Sequence, residues 1–104
     1  MANPHASEVA VVIDGERHVC KLTLGALAEL EAALGEDSLV ALVERFEAGR
    51  ISSRDVLALI VAGLRGGGWT GATGDLLSAE IAGGPVAAAT VAAELLARAF
   101  APPP

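Results

Sequence analysis

The chain has 104 residues, 53% of them hydrophobic and 19% charged, which suits one folded domain with one core and excludes a disordered chain. Thirteen acidic against seven basic side chains give a formal net charge of -6, so the summed field repels phosphate backbones and anionic lipid heads. Nucleic acid and membrane partners are therefore not expected. Cys20 is the single cysteine and cannot pair within the chain, which agrees with a cytoplasmic setting.

Residues 1–7 hold neither a basic cluster nor an apolar run, so a disordered N-terminus without an export leader is expected. Residues 8–14 and 17–24 are rich in β-branched side chains and flank Gly15-Glu16, which predicts a β-hairpin over 8–24. With those two residues at the turn, Ile13 faces His18, Val11 faces Cys20 and Val9 faces Leu22, gathering the apolar side chains on one face. Val12, Arg17, Val19, Lys21 and Thr23 fall on the other, largely solvated face.

Leu24, Leu27, Leu30 and Leu34 recur at helical spacing, predicting a helix over 24–34 that Gly35 stops. Asp37 or Ser38 caps a second helix over 38–48, striped by Leu39, Leu42, Val43 and Phe46 and closed by Gly49. Ser52 and Asp55 have capping-box spacing and open a third helix over 53–65. That helix is apolar nearly all round after Asp55, which marks it as the most buried. Gly66, Gly67 and Gly68 then predict a break and a mobile segment reaching Gly74. A short helix over 75–82 follows, and Pro85 opens an alanine-rich last helix over 85–100. Residues 101–104 read as a flexible tail. The fold class is α+β, mainly α: a two-stranded hairpin packed on four to five helices within a single domain over 8–100.

No reactive constellation emerges, and no enzyme activity or cofactor is expected. His18 and Cys20 share a strand face, but the remaining histidine, His5, lies in the N-terminal segment; Cys20 reads as a small core residue with His18 at its rim. Ser7, Ser38, Ser52, Ser53 and Ser78 have no histidine nearby to act as base and read as caps or solvated hydroxyls. Glu29, Glu31, Glu36, Asp37, Glu44 and Glu47 read as solvated helix faces. Arg65-Gly66-Gly67-Gly68 lacks the Lys-Ser or Lys-Thr of a phosphate loop and follows a helix where a strand is required, so a hinge between helical layers is the better account. Trp69 either plugs the core or stands out as an anchor. The last helix is either a docking face or a final layer. Candidate partner-binding residues are Leu64, Arg65 and Trp69 around the glycine break, with Leu95 and Phe100 on the last helix.

The run Leu22-Thr23-Leu24-Gly25-Ala26-Leu27-Ala28-Glu29-Leu30-Glu31, then Asp55-Val56-Leu57 and Gly63-Leu64-Arg65-Gly66-Gly67-Gly68, resembles the small tail-assembly protein of gene transfer agents and siphophage-like prophages. The likeness spans roughly residues 8–70 and includes the Asp14-Gly15 hairpin. That family carries two labels, tail tube protein and tail assembly chaperone, and a hairpin followed by helices suits the second, because a ring-lining sheet needs many strands. The resemblance implies a cytoplasmic protein, transiently associated with assembling tails, that coats the tape measure protein while tail tube subunits polymerise around it. Self-association along that client also follows. The alternative is a structural or adaptor component retained in the tail.

Overall fold

The computed structural model describes residues 8–35 and 39–100. Strands β1 (Glu8–Ile13) and β2 (Glu16–Lys21) form the antiparallel hairpin, and helices α1 (Leu24–Leu34), α2 (Leu39–Glu47), α3 (Ser53–Gly66) and α4 (Gly84–Ala99) follow, with a 3₁₀ turn at Thr73–Leu76. The mainly helical α+β architecture is the expected one. The termini 1–7 and 101–104, and the cap at Asp37 or Ser38, lie outside the described residues, as does the Leu39 side chain.

The hairpin turns on Asp14 and Gly15, not on Gly15 and Glu16. Both have positive φ, 50° and 82°, the requirement of a type I′ turn, which Asp-Gly meets and Glu16 would resist. The register becomes Ile13 opposite Glu16, Val11 opposite His18 and Val9 opposite Cys20, two residues from the expected one. A slip of two preserves the face, so Val9, Val11, Ile13 and Cys20 are buried as anticipated. Strand β2 ends at Lys21 because Thr23 is needed elsewhere: its hydroxyl accepts the Ala26 N–H at 3.1 Å and caps α1. That cap rotates α1 so that Ala26 and Leu30 are buried while Leu24, expected in the stripe, stands 85% exposed.

Helix α3 is the centre. Leu59, Ile60, Val61, Ala62, Gly63 and Leu64 are all buried, and Leu59, Ile60, Ala62 and Leu64 share one core with β1, β2, α1, α4 and Leu42 of α2. Its start is fixed twice over. The Ser52 hydroxyl accepts the Asp55 N–H at 3.1 Å and the Asp55 carboxylate accepts the Ser52 N–H at 3.0 Å, completing the predicted capping box. The other Asp55 oxygen takes a 2.7 Å charge-assisted bond from Arg45 in the last turn of α2, which ties the two helices together.

The glycine run is not a hinge. A Cβ on Gly66 would lie 1.9 Å from the Lys21 carbonyl oxygen, and one on Gly67 would lie 2.0 Å from the Val19 oxygen. One on Gly63 would meet Leu95 at 2.9 Å and Cys20 at 3.0 Å. These positions are i, i+3 and i+4, one helix face, so their missing side chains let the backbone of β2 lie directly against α3. Beyond it, the Trp69 N–H donates to the Leu64 carbonyl at 2.9 Å, and the ring packs on the core beside Gly71. Trp69 is half-buried, its ring packed against the edge of the core.

The helix expected over 75–82 is absent. The chain makes the single 3₁₀ turn and then runs along the edge of β1, where Ile81 bridges to Ile13. Asp14 N–H donates to Glu80 O at 2.8 Å, Ala82 N–H to Val12 O at 3.0 Å and Glu80 N–H to the Asp14 carboxylate at 2.9 Å. A short isolated helix is marginal, so these tertiary bonds outcompete it and close the exposed strand edge. Helix α4 packs Ala88, Ala92, Leu95 and Leu96 inward. Among the described residues no helix is long and apolar enough to cross a membrane.

Two stability predictions follow from these contacts. Gly66→Ala and Gly67→Ala each lose about 3 kcal/mol in urea denaturation, because strand backbone blocks the new methyl; Gly74→Ala, with open space around it, changes stability by less than about 0.5 kcal/mol. Asp55→Asn loses about 2 kcal/mol in the same assay, the worth of a buried charge-assisted bond.

Candidate functional site

The residues expected to contact a partner divide by burial. Leu64 is 0% and Leu95 1% exposed, so both are core side chains packed beside the glycine face and neither offers a docking surface in this fold. Arg65 is exposed and pairs with Glu29 of α1 at 3.6 Å. Trp69 is half-buried, and Phe100, just past α4, is 45% exposed. The five therefore do not form one patch.

The polar groups considered for chemistry have structural surroundings. Cys20 is fully buried opposite Val9, and burial pushes its thiol up to about 11 from 9.0. His18 sits half-buried opposite Val11, 4.0 Å from the Glu16 carboxylate. Ser52 is engaged in capping α3. Among the described residues, no group of three His, Cys, Asp or Glu side chains is placed to hold a metal ion.

What the fold builds instead is a pair of open apolar grooves on either side of α3, sharing Leu57. The larger, about 490 Å³, runs between α3, the 3₁₀ turn and the start of α4, over Val56, Ile60, Leu76, Ile81 and Ala88. Leu77 on its rim is 73% exposed, and Val86, beside the groove-lining Pro85, is 78% exposed. The smaller, about 200 Å³, lies between α1 and α3 over Leu30, Leu34, Ala58 and Val61, with Arg54 and Arg65 at opposite ends. Both exist because α3 is apolar around its circumference while the hairpin, α1 and α4 cover only part of it. Sequence reasoning missed Arg54, Leu57, Leu76, Leu77 and Ile81. The one signal available was the excess of apolar positions on α3 over what a single buried face requires.

Arg54 has no ion pair among the described residues. It occupies the second residue of α3, where the helix dipole disfavours a cation by roughly 0.3–1 kcal/mol.

The raised thiol value gives a pH prediction. The folded state favours the neutral thiol, so its contribution is intact below pH 9 and is lost as the unfolded chain ionises first, by about 2 kcal/mol by pH 11. Denaturation curves across that window should fall more steeply for the wild type than for Cys20→Ala; parallel curves would show that the thiol is not shielded.

No curated protein and no solved structure matches the chain. One family does, described as "Phage tail tube protein, GTA-gp10", and the match spans residues 6–102, well past the 8–70 over which the resemblance was noted. Covering α4 as well as the hairpin and α3, this match places the chain in that phage-tail-related family of gene transfer agents, and the chain belongs to it.

Proposed function

We propose that this chain is a non-enzymatic tail assembly protein that holds apolar helical stretches of the tape measure protein while tail tube subunits assemble around it. The observation that carries this reading is the pair of open apolar grooves flanking α3, whose floors are leucine, isoleucine, valine and alanine. A long apolar helical client needs such floors, and side chains presented on rigid helices supply them without covalent chemistry. Exposed Glu44 and Glu47 on the outer face of α2 keep a loaded complex soluble. The action is placed in the bacterial cytoplasm, with transient attachment to growing tails and self-association along the client.

A second reading, a component retained in the tail, is favoured by the family's description as a tube protein. Against it, the described residues contain one two-stranded sheet, while a tube wall built from lining strands needs more.

Two measurements separate these readings. Co-expression with a tape measure protein should raise the soluble yield of that protein, and a client equally soluble alone would contradict the assembly reading. Mass spectrometry of purified particles should find this chain absent or far below stoichiometric copy number; one copy per tube subunit would establish the retained component instead.

A further inference from the structure

The groove between α1 and α3 is shaped and charged for one kind of occupant. Arg54 and Arg65 are eleven residues apart on α3, which brings them to the same helix face about 16 Å from each other. Between them lies the apolar floor of Leu30, Leu34, Ala58 and Val61. Arg65 is already neutralised by Glu29, while Arg54 has no ion pair among the described residues. The groove is thus apolar along its length and positive at one end, on a chain whose formal net charge is -6.

An extended peptide in this position would leave its backbone groups unpaired, because both walls are helices with their own hydrogen bonds satisfied. A helix carries its backbone bonds internally and can lay a three-turn apolar stripe on the floor. A hydrated phosphate gains nothing from an apolar floor and meets the repulsion of the whole chain. We propose that this groove seats an amphipathic helix of a partner protein and selects it by a carboxylate placed to meet Arg54. The proposal rests on the assembly reading for the partner's identity, but its chemistry can be tested separately.

The test uses the full chain and two synthetic amphipathic peptides of about 20 residues with the same leucine and alanine stripe, one ending in glutamate side chains and its twin in lysines. The wild type should bind the glutamate peptide about tenfold more tightly than its twin, and Arg54→Glu should reverse that preference. Arg54→Glu places an acid in the first turn of α3, so its thermal midpoint should hold or rise, separating lost recognition from lost folding. Equal affinities for the two peptides, or binding of neither, overturn the proposal. So does a dimer of the chain that Arg54→Glu dissociates, which would assign the groove to a second copy.

The tape measure protein forms a separate arm. If it is held equally by wild type and Arg54→Glu, the assembly reading stands and this groove is not its charge-selective seat. If the wild type ignores it yet prefers the glutamate peptide, the groove's chemistry stands and the assembly reading fails.

Discussion

The architecture depends on how closely β2 can approach α3. Gly63, Gly66 and Gly67 form a strip without side chains along one face of the helix; the carbonyl oxygens of Lys21 and Val19 occupy the space methyl groups would take on Gly66 and Gly67, and the Leu95 and Cys20 side chains close on Gly63. This contact sets the distance between hairpin and helix, and with it the depth at which Cys20, Leu64 and Leu95 pack together. Glycine in a helix costs roughly 1 kcal/mol of propensity per residue, so the strip is unfavourable locally. The buried area gained by seating a two-stranded sheet directly on a helix offsets that cost, since a lone hairpin would be marginal in water.

Once α3 is committed on that side, its remaining faces explain the surface. Helix α1 and helix α4 flank it, the second with alanines at Ala88 and Ala92 that allow close packing but cover little area each. The capping box at Ser52 and Asp55, tied to Arg45, leaves α2 at the far end of α3. Leu57 is therefore left between two grooves that the other described residues do not fill. The 79–82 segment, drawn to β1 by bonds to Asp14 and Val12, forms a wall of the larger groove through Ile81. The same hydrogen bonds that protect the sheet edge thus shape the apolar cleft.

Much of this was legible in the residues. The periodicity of α3, its Ser52 cap and the stops at Gly35 and Gly49 are local signals, and local rules determine them. The face of the hairpin was legible because alternation fixes it; the register was not, since a shift of two residues leaves the same side chains inward. Reading Gly66 to Gly68 as a break followed from propensity, and α3 does end at Gly66; what propensity hid is that Gly66 and Gly67 contact a strand more than forty positions earlier. The segment 75–82 was misjudged for a related reason: its hydrogen-bond partners sit on β1, and no local pattern announces them. The grooves needed the assembled fold, because Leu57 and Ile81 look like any other apolar residues until their neighbours are placed. The burial of Leu64 and Leu95 was not legible either, because adjacency to a glycine break says nothing about burial.

The account holds that the hairpin side of α3 is structural and the opposite side is for contact. Hydrogen exchange of the chain alone and with the tape measure protein tests that division directly. The account predicts slowed exchange in the first turns of α3 and in residues 73–82, with the outer face of β1 and β2 unchanged. Slowing confined to the hairpin, or no change anywhere in the presence of a bound client, would contradict it.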